Sequence, residues 1–276
     1  MAIAQSLDHF VVPVDDMVVA EEFYVRVFAG VITKRNGLNV RQRKRGAVPH
    51  TFIQIGGKRM GVYLQSDERP SPSSARGLPT YSFTTTDRGL DEVAAMLSDL
   101  GSSFEGPVSN ANEFAKQSLF LTDPAGNHYS LYTPKYPNVA SSATTGRMTA
   151  VGYIELEAPD VDASIEFYQN VLGFEVQSRN ANPKQATLKM ASGQTLILTE
   201  APFSSKGLVM SRKVPGPHIA FYVPALKWTA AIEQLAKLGI ENGDRGAAKE
   251  RTADQGGTYM DDPAGYVIQF ITDGME

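Results

Sequence analysis

Two stretches decide the fold: Leu7–Val14 reads LDHFVVPV, and Val151–Ala158 reads VGYIELEA. Both are short runs of the kind that form β-strands, and an acidic turn follows each of them. Each turn leads into a helical pattern that ends in the letters FY, at Tyr24 and at Tyr168. Positions 7 and 151 are 144 residues apart, and so are positions 24 and 168. A constant offset over a strand and a helix indicates an internal duplication.

The similarity continues through the rest of both halves. A predicted β-hairpin follows the first helix, then a strand, a helix closed by glycine, and a D-P-A-G turn between two final strands. The order strand–helix–strand–strand therefore occurs twice in each half, and the composition of elements is that of an α+β fold. The paired segments are Thr51–Gln65 with Thr187–Glu200, Leu78–Thr84 with Gly216–Tyr222, Asp91–Leu100 with Thr229–Leu238, and Asp123–Gly126 with Asp262–Gly265.

The duplication divides the chain into two modules. We assign residues 1–133 to the first module, 134–148 to a linker rich in Ser, Thr, Pro and Asn, and 149–276 to the second module. Two further polar stretches, Ser66–Gly77 and Ala201–Pro217, are predicted to be long surface loops beside the strands that follow them.

The composition is that of an ordinary globular protein, and it excludes several classes of function. The 276 residues are 42% hydrophobic and 20% charged, and the formal net charge of −4 does not favour nucleic acid or an anionic membrane. Since there is no cysteine, a disulfide, a thiolate nucleophile and a sulfur-ligated metal are excluded. The start of the chain lacks the layout of a secretory signal, and no apolar run is long enough for a membrane span. We therefore expect a soluble cytoplasmic protein.

The opening strand with its FY helix, the D-P-x-G turn and the doubling together resemble the vicinal-oxygen-chelate superfamily of glyoxalases, extradiol dioxygenases, and fosfomycin- and bleomycin-resistance proteins. The resemblance covers about residues 7–133 and 149–273. It implies two tandem βαβββ modules whose curved mixed sheets form open-barrel cups. In this superfamily a divalent metal in the cup binds neighbouring oxygens of a small substrate. A chain with two modules can complete its cup alone, so both a monomer and a homodimer are compatible with it.

The resemblance also implies where the metal ligands lie: on the first strand, on the strand that opens the second half of the module, and four residues after the glycine of D-P-x-G. The first module has a histidine only at the first of these places, and the second module only at the middle one. The last position, a glutamate in relatives, is Ser130 in the first module and Gln269 in the second. Neither module alone therefore carries the usual set of two histidines and a carboxylate.

Some relatives with two modules combine ligands from both, which here predicts a metal site of His9, His218 and Gln269. The amide oxygen of Gln269 can act as a ligand, although the loss of a carboxylate weakens the binding of a divalent cation. By the resemblance the metal is Fe(II), with Mn, Zn, Ni or no metal as alternatives. If there is no metal, the two histidines form only hydrogen bonds inside the cup.

Three further residues are candidates for catalytic roles. Tyr259 lies three residues before the Asp262 turn, where ring-cleaving relatives place a tyrosine that binds a substrate oxygen; a core-packing role is the alternative. Tyr153 takes the place of the first-strand histidine in the second module. Strand alternation puts Glu155 on the same face, where it could supply a carboxylate ligand or a general base, or else be solvated near the strand end. His50 and His128 are expected near a turn and a strand end.

These observations leave more than one function open. The first hypothesis is a metal-dependent enzyme on a small oxygenated, aromatic substrate, of the extradiol ring-cleaving dioxygenase type. The alternative is a metal-free protein that binds or sequesters a ligand or antibiotic, or a non-redox lyase or isomerase, since both last-strand glutamates are absent. A scaffold role is the third. The sequence does not specify the substrate or which of the two cups is active.

Overall fold

The computed structural model describes residues 3–44, 49–64, 79–136, 147–201, 217–243 and 257–272. In the first module the elements are β1 (Ser6–Val14), α1 (Met17–Phe28), β2 (Val31–Asn36), α2 (Val40–Lys44), β3 (His50–Ile55), β4 (Lys58–Leu64), β5 (Thr80–Thr85), α3 (Asp87–Asp99), β6 (Phe104–Ser109), β7 (Ala115–Thr122) and β8 (His128–Pro134). In the second they are β9 (Met148–Ala158), α4 (Val161–Phe167) with a π-helical turn (Tyr168–Leu172), β10 (Glu175–Ala181), β11 (Lys184–Lys189), β12 (Thr195–Glu200), β13 (His218–Tyr222), α5 (Ala225–Lys237), β14 (Gly257–Asp261) and β15 (Val267–Ile271).

The strands form two mixed sheets, and each sheet combines one half of each module. The seven-stranded sheet has the order β14-β15-β13-β1-β4-β3-β2, and the eight-stranded sheet has the order β10-β11-β12-β9-β5-β8-β7-β6. The modules meet within the sheets through two antiparallel pairs, β1 with β13 and β5 with β9. The predicted α+β fold is confirmed. Each module, moreover, divides into two strand–helix–strand units, one for each sheet.

Three strands that the sequence pattern did not predict lie at the edges of the sheets. Strand β2 lies at one end of the seven-stranded sheet, and β10 and β6 lie at the two ends of the eight-stranded sheet. Most of their residues are exposed or half-buried, since only one side of an edge strand is paired. They lack the apolar alternation of a half-buried strand, which explains why they were missed.

The first helix of each module begins and ends at corresponding positions. Asp16 accepts hydrogen bonds from the amides of Val18 and Val19 at the start of α1, and Asp160 accepts one from the amide of Ala163 at the start of α4. At the far end the backbone is left-handed, with φ of 53° at Ala29 and 77° at Gly173. The acidic turns in the sequence are therefore helix caps.

The FY tyrosine and the D-P-x-G aspartate are hydrogen-bonded to each other in both modules. The Tyr24 hydroxyl donates to Asp123 Oδ2 at 2.5 Å, and the Tyr168 hydroxyl donates to Asp262 Oδ2 at 2.8 Å. Both pairs are buried, and burial raises the pKa of the Asp262 carboxyl to about 7. These bonds join the first helix of each module to its last turn, which agrees with the structural role expected for the FY pairs.

The two sheets pack against each other through one face only. Phe10 of β1 and Tyr81 of β5 stack with ring centroids 4.2 Å apart, and both belong to the large buried core. Along a strand, successive side chains point to opposite faces. The faces that carry the neighbours of Phe10 and Tyr81, such as His9 and Thr80, are therefore turned away from this contact. We call these the concave faces of the two sheets.

The two long loops and the linker predicted from sequence lie largely outside the described residues, since 65–78, 137–146 and 202–216 are not described. No helix in the described part of the chain is long and apolar enough to cross a membrane.

Candidate functional site

His9 and His218 meet on the concave face of the seven-stranded sheet. β1 and β13 are neighbours there, with Val11 opposite His218 and His9 opposite Ala220. The two Nε2 atoms are 3.2 Å apart, and the ring planes are inclined by 80°. Two residues separated by 209 positions thus present one nitrogen each to the same point. His9 is 6% exposed and His218 is half-buried.

Gln269 and Tyr259 extend this group on the next two strands. Gln269 of β15 lies beside Ala220 of β13, and Tyr259 of β14 lies opposite Gln269. Gln269 is 3% exposed, and its buried Oε1 has no hydrogen-bond partner. The Tyr259 ring is edge-on to the His218 ring at 5.4 Å. A buried amide oxygen without a hydrogen-bond partner is unfavourable. Gln269 Oε1 therefore favours a ligand that it can coordinate or from which it can accept a hydrogen bond.

The three donors His9, His218 and Gln269 fit a divalent metal. Two nitrogens bound at 2.0–2.1 Å to one ion lie about 2.9–3.4 Å apart in tetrahedral or octahedral geometry, which includes the observed 3.2 Å. Within the described residues, no group of three or more His, Cys, Asp or Glu side chains could by itself hold a metal ion. A metal at this place would therefore use the amide oxygen of Gln269 as its third protein ligand.

The strand register identifies a fourth position in this group of residues, and Gly61 occupies it. Ala220, two residues after His218, pairs with Gln269; Val11, two residues after His9, pairs with Gly61. Gly61 is therefore the counterpart of Gln269. A Cβ at Gly61 would lie 2.6 Å from Cγ2 of Val11, so that no larger side chain fits without a shift of Val11. The chain thus offers three donors, and Val11 occupies the space in which a side chain at Gly61 would lie.

Asp8, Phe52 and Arg59 surround His9, and sequence reasoning missed all three. Asp8 Oδ1 is 2.5 Å from His9 Nδ1, and Arg59 Nη2 is 3.7 Å from the same oxygen. Phe52 is edge-on to His9, and Arg59 lies over the Phe52 ring. Burial raises the pKa of Asp8, but the hydrogen bond and charge of His9, with the charges of Arg59 and Lys58, outweigh it and hold that pKa below its usual value. Only Asp8, adjacent to His9, could have been noticed in the sequence.

The corresponding positions of the eight-stranded sheet carry no pair of ligands. Tyr153 stands where the first sheet has His9, and Thr80 where it has His218. The strand pairings two residues after Tyr153 and two residues after Thr80 give the other two counterparts. Ile197 corresponds to Gly61, and Ser130 corresponds to Gln269. Tyr153 packs with Tyr132, Ala115, Ile197 and Phe114 in a small apolar cluster apart from the main core. Burial raises the pKa of Tyr153 to about 12.

Tyr153 and Glu155 do not reach His9 and His218. Both lie on the concave face of the eight-stranded sheet, which is turned away from the concave face of the other sheet. Glu155 Oε1 accepts a hydrogen bond of 2.6 Å from Thr199, whose hydroxyl in turn accepts one from Gln185. Glu155 and Tyr153 thus lie in a different sheet from His9, and their roles as a ligand or base and as a substrate contact stay predictions. Only Tyr259 stands beside the histidines.

The other two histidines lie on different sheets. His50 is the first residue of β3 in the seven-stranded sheet, where its Nε2 is 2.9 Å from Asn36 Nδ2 and its ring is edge-on to Phe52. It is therefore part of the concave face rather than of a turn. His128 begins β8 of the eight-stranded sheet, half-buried at the strand end, as expected.

Comparison with known proteins gives a family match in the second module and a fold for the whole chain. The family model for the Glyoxalase/Bleomycin resistance protein/Dioxygenase superfamily matches residues 150–270. A Bacillus subtilis protein presumed to be a dioxygenase has a TM-score of 0.74 at 13% identity, over 100% of this chain and 87% of the other. Glyoxalase I from Zea mays has a TM-score of 0.66 at 15% identity, over 98% and 92%. No curated protein matches the sequence.

At these identities the solved structures show the fold alone, and they do so over both modules. The family match lies in the second module, where it includes His218, Tyr259 and Gln269. The second module matches the family model of the glyoxalase, bleomycin resistance protein and dioxygenase superfamily, and the chain as a whole has the fold of the two solved structures.

Proposed function

We propose that the chain is a metal-dependent enzyme for a small oxygenated, aromatic substrate, of the extradiol ring-cleaving dioxygenase type. The observation that carries this proposal is the approach of His9 Nε2 to His218 Nε2 in the sheet that also holds Gln269, whose buried Oε1 has no hydrogen-bond partner. Two imidazoles and one oxygen donor, with open positions beside them, are the kind of site that binds Fe(II) for oxygen chemistry.

His9, His218 and Gln269 would hold the metal. A metal bound there would act as a Lewis acid and a template for the oxygens of the substrate. Gly61 supplies no fourth ligand, and Val11 occupies the space in which a side chain there would lie. The remaining positions around the metal would then be left to small molecules.

The residues around the donors suit an aromatic substrate. Phe52 pairs with Gly61 and Tyr259 pairs with Gln269, so that an aromatic side chain flanks the donors on each side. Both rings are half-buried, and the nearby Val267 and Ile271 are buried. These apolar groups exclude water around a bound ring. The Tyr259 hydroxyl, on a ring that is edge-on to His218, would donate a hydrogen bond to a substrate oxygen.

A glyoxalase-like lyase is the second candidate, and the amide of Gln269 favours it. An amide donor leaves more net positive charge on the metal than a carboxylate does, which suits polarisation of a substrate oxygen without a change in oxidation state. The two candidates share the metal site and differ in the use of oxygen, so that one experiment separates them.

The experiment is elemental analysis of the untagged protein, followed by anaerobic loading with Fe(II) and a screen of catechols and hydroquinones for oxygen uptake. Near-stoichiometric metal with oxygen uptake coupled to ring opening supports the dioxygenase. Metal uptake without any oxygen consumption favours the lyase. Protein that neither contains nor takes up Fe(II) or Zn(II) contradicts both and favours a metal-free ligand-binding protein.

Tyr259→Phe provides the test of the substrate contact, with Tyr153→Phe as its matched control in the other sheet. We expect Tyr259→Phe to lower turnover about 10-fold to 100-fold without loss of metal, since one hydrogen bond to a charged oxygen is removed. Tyr153→Phe should leave turnover unchanged. Equal effects of both substitutions would argue against a role of Tyr259 at the substrate.

A further inference from the structure

Asp8 occupies an irregular position in β1, directly before His9. In the pairing of β1 with β13, Leu7 lies opposite Phe221 and His9 lies opposite Ala220, so that Asp8 has no partner of its own. Such a bulge places an additional residue in one strand and redirects its side chain. As a result the Asp8 carboxylate lies beside the His9 ring, with Oδ1 at 2.5 Å from Nδ1.

This contact determines which ring nitrogen of His9 carries the proton. A carboxylate can only accept a hydrogen bond, so His9 Nδ1 must be the donor. In the neutral ring the proton then resides on Nδ1, so that Nε2 carries a lone pair that can accept a hydrogen bond or bind a metal. It is Nε2 that faces His218, at 3.2 Å. The carboxylate thus prepares the nitrogen that would bind a metal.

We propose that Asp8 is a positioning residue that holds His9 in the Nδ1–H form and orients its Nε2 toward His218 and Gln269; its relevance to metal rests on the proposed function. Carboxylate partners of ligating histidines fix their tautomer and ring orientation, and removal of such a partner lowers metal affinity by about 10-fold to 100-fold.

The second module has neither the aspartate nor the histidine. At the offset of 144 residues, Tyr153 takes the place of His9 and Gly152 the place of Asp8. A Cβ at Gly152 would lie 2.5 Å from the Tyr132 ring and 2.7 Å from Ser82 Oγ, so that this position has no room for a carboxylate. The pair of an aspartate and a histidine is therefore found in the first module and not at the corresponding positions of the second.

Arg59 and Phe52 lie next to Asp8 and the ring of His9. Arg59 Nη2 lies 3.7 Å from Asp8 Oδ1, and its guanidinium is 5.6 Å from the centre of the Phe52 ring, which is edge-on to His9 at 6.2 Å. The Arg59 side chain is 39% exposed, and ion pairs of this kind contribute little. Arg59→Gln should therefore change metal affinity by less than about fivefold.

The test uses Asp8→Asn, Asp8→Ala and Arg59→Gln, with two measurements. In the metal-free protein, ¹⁵N–¹H NMR of the imidazole nitrogens gives the tautomer of His9, which we expect to be Nδ1–H in the wild type and mixed or reversed in Asp8→Ala. The affinity for Zn(II), measured against a competing chelator, should fall about 10-fold to 100-fold in Asp8→Ala. Asp8→Asn keeps the shape of the side chain, so that a folded variant is available if Asp8→Ala does not fold.

A wild-type His9 that carries its proton mainly on Nε2 would overturn the proposal. So would unchanged tautomer and unchanged Zn(II) affinity in both variants. If the wild type binds no metal, the proposed function fails, and the NMR measurement still decides whether Asp8 sets the tautomer. If His218→Ala abolishes Zn(II) binding while the Asp8 variants retain full affinity, the metal site stands and the role of Asp8 is rejected.

Discussion

The two sheets have the same order of units but carry different chemistry on their concave faces. The seven-stranded sheet has His9, His218 and Gln269 around Gly61, whereas the eight-stranded sheet has Tyr153, Thr80 and Ser130 around Ile197. Each group includes a buried oxygen without a hydrogen-bond partner, Gln269 Oε1 in the first and Ser130 Oγ in the second, but in the second Tyr153 and Ile197 belong to a small apolar cluster. A duplicated fold can therefore keep its framework while one of its two sites is replaced by packing.

The reason is that the opposite faces of both sheets hold the fold together. Phe10 and Tyr81 stack between the sheets, and the pairs Tyr24–Asp123 and Tyr168–Asp262 connect helix to turn in both modules. None of these contacts involves a concave-face residue. Substitution on a concave face thus leaves the core intact, as the burial of Tyr153 and Tyr132 illustrates.

The largest difference between the sheets should appear in metal binding. His9→Ala combined with His218→Ala removes both nitrogens and should lower Zn(II) or Fe(II) affinity by more than 100-fold, since one amide oxygen remains. The matched variant, Tyr153→Phe combined with Thr80→Ala, should bind metal as the wild type does. Competitive titration measures both. Equal losses in the two variants would contradict the assignment to one sheet.

A carboxylate at the last-strand position should act oppositely in the two sheets. Gln269→Glu adds a negative charge beside two imidazoles and should tighten metal binding at least about tenfold. Ser130→Glu has no such partners at a position that is 0% exposed, and it should destabilise the fold by about 3–5 kcal/mol. Chelator competition and urea unfolding give the two values. Improved metal binding in Ser130→Glu would show that the second concave face has retained a site.

The stability that Asp262 contributes to the second module should depend on pH. Burial raises the pKa of Asp262 to about 7, above the usual 3.9 of an aspartate, so the folded chain binds this proton more tightly than the unfolded chain. The stability that this proton provides is therefore lost as pH rises from about 4 to about 7. Between pH 5 and pH 8 the loss is on the order of 2–3 kcal/mol, at about 1.4 kcal/mol per pKa unit.

Asp262→Asn should remove this dependence, because its amide does not titrate in that range. Urea unfolding at both pH values, for the wild type and Asp262→Asn, measures the difference. Asp123→Asn is the corresponding variant of the first module. If the free energies of unfolding of the wild type and of Asp262→Asn change equally with pH, Asp262 does not hold its proton.

The smallest difference concerns the ends of the first helices. Gly173→Ala introduces a Cβ at φ of 77° and should destabilise by about 1 kcal/mol. Ala29→Gly relieves the same strain at φ of 53°, but glycine is more flexible in the unfolded chain, so we expect a gain below about 1 kcal/mol. Thermal unfolding of both variants tests this. Destabilisation by Ala29→Gly equal to that by Gly173→Ala would contradict the explanation by backbone strain.

Much of the fold and part of the site could be predicted because they depend on local patterns. The caps Asp16 and Asp160 and the hairpins follow from neighbouring residues, and the repeat supplied the order of the units. The edge strands β2, β6 and β10 were missed because exposed strands lack an apolar alternation. Asp8 and Arg59 were missed because their relation to His9 depends on a bulge and on the partner strand.

The sequence by itself determined the duplication, the α+β class and the strands that carry His9, His218 and Gln269. Only the tertiary structure decided that His9 of one module and His218 and Gln269 of the other share a sheet, while Tyr153 and Glu155 face away from them. The physical reason is that helices, turns and strand alternation depend on residues close in the chain. The pairing of β1 with β13 joins segments some two hundred residues apart, and it depends on how whole sheets pack.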